Sequence, residues 1–256
     1  MSAWATCLAS PGRRGALAAL TVIILLMLGP DRGLSTVLRS VDDGIVDIFR
    51  VLTLSGESKW WLIALGVTIP CLFAARRRLR HSRLAALLGW SAWALVFLFA
   101  AVALGGITVN VIKVIVGRGR PKLLMQDDFY GFHPFTGSAD FHSFPSGHAN
   151  TLMALAVALG FLVPRWRVIL WALGAFLASS RVMVNAHYLS DVIGGSLWAV
   201  LLTAWLRARF ARWGLVFVRR PNGYALQPAG RFLLGSESLV RRRIQKVHAT
   251  TAKQPL

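Results

Sequence analysis

Apolar and polar positions fall in blocks along this chain, with long oily runs broken by short polar or basic clusters. Residues 15 to 29 are uncharged and apolar behind Arg13-Arg14, a run short for a bilayer span of about 20 residues. Its length and basic flank also fit a signal peptide. No convincing small-x-small cleavage site lies near Gly29-Pro30, which favours a retained first helix. Residues 31 to 59 mix Asp42, Asp43 and Asp47 with aliphatic residues, a pattern that predicts an interfacial helix on the outer surface. A second span is expected from Trp60 to Ala75, kinked at Pro70, with Trp60-Trp61 in the aromatic belt. The third begins near Leu84, passes Gly105-Gly106 and continues to Lys113. The fourth runs from His148 to Val163 and is closed by Pro164. The fifth covers Val168 to about Val184 and the sixth Leu189 to Leu206. The expected fold is all-α, a polytopic integral membrane bundle of about six transmembrane helices over residues 1–206, followed by a basic tail, 207–256.

Composition excludes an ordinary soluble domain: 55% of residues are hydrophobic and the mean hydropathy is +0.57. The net charge of +19 and pI near 11.7 would suggest nucleic-acid binding in a soluble protein. Here the charges sort by side instead. The segments Arg13-Arg14, Arg76 to Arg83, Arg165 to Arg167 and Arg207 to Lys253 hold 20 of the 29 basic residues and one acid, Glu237; nine basic residues and nine acids remain. Cytoplasmic loops collect Lys and Arg, so this asymmetry needs no nucleic acid and puts the other polar clusters at the non-cytoplasmic helix ends. The tail suits anionic headgroups, and Trp213 to Val218 suits interfacial docking. Cys7 and Cys71 are too few and too far apart for a disulfide framework or metal cluster, and Cys71, within an apolar run, is expected in the core.

Ionisable groups beside membrane segments are expensive without a partner or a job. Three clusters carry them: Lys113 with Arg120-Pro121, then Pro145-Ser146-Gly147-His148, then Ser180-Arg181 with His187 and Asp191. At i and i+4 on a helix, His187 and Asp191 would share a face, so the carboxylate would fix one ring nitrogen and leave the other lone pair for a nucleophile or base. Such pairs are also common as structural elements. Ser146 and Gly147 read as the capped start of a helix, whose free N–H groups favour phosphate, although a plain cap has the same sequence. Lys113, Arg120 and Arg181 supply the point charge and planar forks that phosphoryl oxygens require. Arg118 and Lys122 read as interfacial anchors. Asp127, Asp128 and Asp140 lack ligand spacing and His133 and His142 read as loop residues, so metal-independent chemistry without a cofactor is expected. Phe129, Tyr130, Phe132, Phe135, Phe141 and Phe144 crowd the connection from Arg118 to Pro145, either guiding lipid chains or anchoring the loop.

Lys113-x6-Arg120-Pro121, Pro145-Ser146-Gly147-His148 and Ser180-Arg181-x5-His187-x3-Asp191 together resemble the three-part signature of the type 2 phosphatidic acid phosphatase superfamily, over residues 60 to 206. That superfamily also contains vanadium haloperoxidases and soluble acid phosphatases. The resemblance implies that His187 attacks phosphorus to form a phosphohistidine, that Asp191 orients and charges it, and that His148 protonates the leaving oxygen. It further implies that Lys113, Arg120, Ser146, Gly147 and Arg181 hold the phosphoryl oxygens. Members with six spans act on lipid phosphates, so a phosphatase acting on lipid A, undecaprenyl diphosphate, phosphatidic acid or phosphatidylglycerol phosphate is expected. A phosphotransferase using the same phosphohistidine is the nearest alternative, and a non-catalytic membrane protein binding anionic lipid is a further one. The expected partner is the lipid phosphate itself, with no obligate protein partner evident, and the expected location is a bacterial inner membrane with the site facing the periplasm.

Overall fold

The computed structural model describes residues 11–79, 82–221 and 223–229. Cys7, Arg80 and the tail beyond Ala229, with Glu237 and Lys253, lie outside the described residues, as do the side chains of Arg13 and Arg14. Among the described residues nine α-helices follow one another: α1 (Pro11–Met27), α2 (Pro30–Val37), α3 (Asp43–Thr53), α4 (Ser58–Arg78), α5 (Arg83–Val116), α6 (Pro121–Asp127), α7 (Gly147–Leu162), α8 (Arg167–Met183) and α9 (Leu189–Trp213). A hairpin of β1 (Phe217–Arg220) and β2 (Gly223–Leu226) comes next, antiparallel with Phe217 opposite Leu226.

Among the described residues four stretches are long and apolar enough to cross a bilayer, 43–78, 83–116, 164–183 and 189–213. A fifth is present if residues 20–27 and 30–40, bent by 65°, form one broken span. The figure of six is therefore approximate. Helix α7 has 16 residues, about 24 Å at 1.5 Å per residue, less than the roughly 30 Å of hydrocarbon. Every residue from Ala149 to Ala158 is buried, as expected of a helix apolar all round. Protein rather than lipid surrounds it, so its length need not match the bilayer.

The region from 31 to 59 is not the single interfacial helix that its pattern predicts. It breaks into α2, α3 and two short turns, and α2 buries Asp31 and Ser35. Pro30 begins α2, where its missing N–H leaves no bond unmade. Cys71 is exposed on α4 rather than buried. In a membrane helix an apolar neighbourhood signals lipid as readily as core.

The described residues fall into two compact units, one within 11–61 and 100–203 and the other within 62–99 and 204–229. In the first, α7 lies directly against α8. A Cβ on Gly174 would come within 2.5 Å of the Ala156 Cβ, so only glycine lets the helices approach this closely. Ala149, Leu152, Ala178, Val182 and Val192 form a core to which α2 adds Leu34. In the second unit the Phe97 ring meets Phe210 at 5.2 Å and Phe217 at 4.9 Å, and Arg207 lies 4.6 Å over Tyr224. In the segment from Trp213 to Val218, suited by its pattern to interfacial docking, Gly214, at φ 70, turns the chain; Trp213 is exposed, and Val216 and Phe217 are buried.

Candidate active site

Helix α5 carries Lys113 in its last turn. Gly117 then takes φ 59, and a Cβ there would lie 1.9 Å from the His133 carbonyl oxygen; no other residue fits. Beyond it the Gly119 N–H donates to Gly131 O (3.0 Å), Arg120 N–H to Asp140 O (2.9 Å) and Ser143 N–H to Arg118 O (3.0 Å). These bonds fix Arg120, whose Nε donates to Ala139 O at 3.0 Å. Ser146 caps α7, its Oγ accepting from the Ala149 N–H at 3.5 Å. The Ser146 N–H donates to the Asp191 carbonyl at 2.9 Å, tying the second cluster to the third. Gly195 makes that approach possible, since a Cβ there would sit 2.3 Å from Ser146 O.

Helix α8 ends on Asn185 in the left-handed region, φ 50, where asparagine is among the tolerated residues. The Arg181 carbonyl accepts from the Ala186 N–H (3.1 Å) and the His187 N–H (3.2 Å), closing the turn that presents His187. His187 precedes α9 and does not share a helix face with Asp191 as the spacing suggests. Its Nδ1 lies 3.6 Å from Asp191 Oδ2, just beyond hydrogen-bond length, and finds no other partner. Asp191 is held elsewhere: Oδ2 accepts from Ser143 Oγ (2.5 Å) and the Tyr188 N–H (2.9 Å), and Oδ1 from Arg118 Nη1 (2.5 Å). The Tyr188 contact is the back-bond of a capping box.

All eight predicted residues, His187, His148, Asp191, Lys113, Arg120, Ser146, Gly147 and Arg181, meet in the first unit. Lys113 Nζ sits 3.6 Å from where a Gly147 Cβ would be. Lys113 is repelled by both Arg120 and Arg181, and His148 lies in the field of Arg181, His187 and Lys113. Burial pushes the His187 imidazole down to about 4, against the opposing pull of Asp191. The ring is therefore neutral at pH 7, with Nε2 unencumbered by Asp191. Burial also lowers the Arg120 guanidinium, offset in part by Asp140. Three mutually repelling cations around a helix N-terminus are chemically suited to hold a phosphoryl dianion, and a neutral imidazole beside them has a lone pair with which it can attack phosphorus. Among the described residues no three His, Cys, Asp or Glu side chains converge as metal ligands.

Several contributors are invisible in the motifs. Arg181 Nη1 donates to Thr53 Oγ1 at 3.1 Å, while its buried Nε has no partner. Gly56 lies flat against His148, where a Cβ would come within 2.9 Å of the imidazole. Arg118 is no interfacial anchor. It is 2% exposed, with Nη1 on Ser190 Oγ (2.6 Å) and Asp191, and Nη2 on Asp31 Oδ2 (3.0 Å) and Tyr130 OH (3.0 Å). Tyr188 stacks 4.4 Å from its guanidinium. Burial opposes the Arg118 charge, but Asp191 and Asp31 raise its affinity for the proton above the ordinary value. Lys122 stays exposed, 3.5 Å from Asp140. His133 and His142 lie in the connection, the latter with Nε2 3.0 Å from Thr136 O. Its aromatics divide: Phe129 packs on Phe141 at 5.6 Å and Tyr130 on Tyr188 at 5.3 Å, whereas Phe132 and Phe135 face outward.

The PAP2 superfamily matches residues 93–214. Lipid A 1-phosphatase of Rhizobium etli is 37% identical over 188 residues, covering 71% of this chain and 78% of that protein. The protein of the same name from Rhizobium johnstonii is 38% identical over 183 residues, 69% of this chain and 72% of that one. A transmembrane PAP2-type phosphatidylglycerolphosphate phosphatase from Bacillus subtilis, solved as a crystal structure, superposes with a TM-score of 0.53 at 18% identity, covering 75% of this chain and 94% of its own. That likeness bears on the fold, while the identity and coverage of the Rhizobium proteins decide the family: this chain belongs to the PAP2 superfamily and is an integral membrane phosphatase.

Proposed function

We propose that this phosphatase removes the 1-phosphate of lipid A through a phosphohistidine on His187. The observation that carries the chemistry is the convergence of Lys113, Arg120 and Arg181 on the α7 N-terminus beside a neutral imidazole. The substrate follows from the two Rhizobium relatives. The phosphate oxygens lie among Lys113, Arg120, Arg181, Ser146 and the Gly147 N–H. Burial and the neighbouring Arg181 keep His148 neutral while no anion is bound; the arriving phosphate's negative charge lets it take up a proton. Nε2 of His187 then attacks phosphorus, the bond to the lipid oxygen breaks, and His148 delivers that proton to the oxygen. Water then attacks the phosphohistidine, His148 takes its proton, and inorganic phosphate leaves with the imidazole restored. Asp191 balances the positive charge that the ring acquires in the intermediate. The charge asymmetry supports an inner-membrane protein whose site faces the periplasm, with the basic segment after Leu206 in the cytoplasm.

The test is phosphate release by purified protein in detergent with EDTA, from lipid A, undecaprenyl diphosphate, phosphatidic acid and phosphatidylglycerol phosphate, beside His187→Ala. Release from lipid A that is lost in His187→Ala is the expected result. Preference for another of the four overturns the substrate, and disappearance of the donor without free phosphate points to transfer onto a lipid acceptor.

A further inference from the structure

Helix α2 lies outside the residues matched by the family, and none of its side chains belongs to the three motifs. Yet two of its polar side chains, Asp31 and Ser35, are turned inward, while Arg32 and Thr36 stay exposed. Asp31 is 1% exposed, and each of its oxygens is used: Oδ1 accepts from the Ser190 N–H (3.1 Å), and Oδ2 from Arg118 Nη2 (3.0 Å) and Ser190 Oγ. One turn on, Ser35 is also buried. Its Oγ donates to Asn185 Oδ1 (2.6 Å) and its carbonyl accepts from Asn185 Nδ2 (3.2 Å). Asn185 is the left-handed residue that turns the chain into His187 two positions later. Leu34 and Leu38 pack against Ala149, Leu152, Ala178, Val182 and Val192, the core beneath that turn.

We propose that α2 is a clamp of the catalytic centre, with Asp31 and Ser35 as positioning residues that aim His187, the first through Arg118 and Asp191 and the second through the Asn185 turn. The inference rests on His187 being the nucleophile. Arg118 stands between two carboxylates, Asp31 and Asp191, so the buried trio carries one net negative charge. That charge is what the imidazole needs when phosphorylation makes it cationic. Without Asp31 the guanidinium would turn wholly onto Asp191, drawing the carboxylate from His187 and cancelling its charge. Ser35 acts by geometry: both groups of the Asn185 amide are fastened to it, and the backbone from Asn185 to His187 is short enough for a tilt of one to reach the other. Neither side chain touches the phosphate, so both act on the chemical step and not on binding of the lipid.

The test uses full-length protein in detergent with lipid A as the probe and phosphatidic acid as a second donor, reading kcat and KM separately beside the thermal midpoint. Asp31→Asn keeps the shape and removes the charge. Its kcat is expected to fall by about 10- to 100-fold, the rate equivalent of one charged hydrogen bond, with KM within about twofold of wild type. Ser35→Ala and Asn185→Gly, the latter able to keep the positive φ, should each lower kcat by about 3- to 10-fold, and the pair together should be no slower than the worse single variant, because both break one clasp. These two decide the question if Asp31→Asn does not purify folded. A kcat equal to wild type in folded variants, a rise in KM with kcat unchanged, or additive losses in the pair would each overturn the clamp. His187→Ala separates the clamp from the reaction on which it depends: a dead His187→Ala beside fully active clamp variants refutes the clamp alone, and an active His187→Ala refutes the nucleophile and the clamp with it.

Discussion

Replacing Arg118 by Met keeps much of the side chain's volume and removes a charge held between two buried carboxylates. The guanidinium donates to four acceptors, Ser190, Asp191, Asp31 and Tyr130, and Asp31 and Asp191 are 1% and 0% exposed. Removing one partner of a buried ion pair costs about 3–5 kcal/mol, because the group left behind is desolvated without compensation. Two stranded carboxylates would raise this, but each can escape by taking up a proton, which bounds the loss near the same figure. At about 2–4 °C per kcal/mol for a chain of this size, the apparent midpoint should fall by roughly 6–20 °C. The assay is thermal unfolding in detergent, followed by tryptophan fluorescence at one scan rate. Adding Asp31→Asn to Arg118→Met should recover part of the loss, since it removes one of the two stranded charges. A midpoint for Arg118→Met within about 2 °C of wild type, below the smallest shift that the lost ion pair allows, would mean that water reaches Arg118, and the reasoning from burial would be wrong.

Gly195→Ala would place a Cβ 2.3 Å from the Ser146 carbonyl oxygen, a backbone contact that cannot yield. It should cost about 1–3 kcal/mol of stability by overpacking and, by displacing the turn that holds Ser146 and His148, at least about 10-fold in kcat; an unchanged rate contradicts this. Thr53→Ala frees Arg181 Nη1 from its hydroxyl partner and should lower kcat/KM by up to about 10-fold, read from initial rates. Titrating His187 by NMR in ligand-free protein should give a midpoint near 4, below the ordinary 6.5. Between those values the unfolded chain binds the proton and the folded protein does not, so this group's contribution to stability declines as pH falls from 6.5 toward 4. A midpoint near 6.5 would mean a hydrated ring.

Each signature residue is legible because its chemistry and its neighbours sit together in sequence: Ser146 and Gly147 are a helix start whatever surrounds them, and three cations beside apolar runs need an anion. Arg118 misleads because its meaning depends on carboxylates 87 and 73 residues away. Asp31, just after Pro30, reads as an ordinary first-turn acid until Ser190, 159 residues on, is seen to fill it. His187 and Asp191 come within 3.6 Å of each other, without a hydrogen bond and not on a shared helix face, since the helix begins between them. The inference from apolarity to burial fails at Cys71, which is exposed on a helix apolar enough to cross a bilayer. The hairpin does leave a signal within the basic tail: the turn formers Pro221-Asn222-Gly223 lie between Phe217-Val218 and Tyr224-Ala225-Leu226, strand formers, and Arg220 pairs with Gly223 across the turn.

The central claim, that phosphorus is transferred to His187, is tested most directly by mixing wild-type protein with lipid A labelled in its 1-phosphate, quenching in alkali and mapping the labelled peptide. Label on the peptide that contains His187, stable to base and lost in acid, absent from His187→Gln, is the predicted result. Turnover with label on another residue, or rapid turnover with no protein-bound label at any quench time, would contradict it.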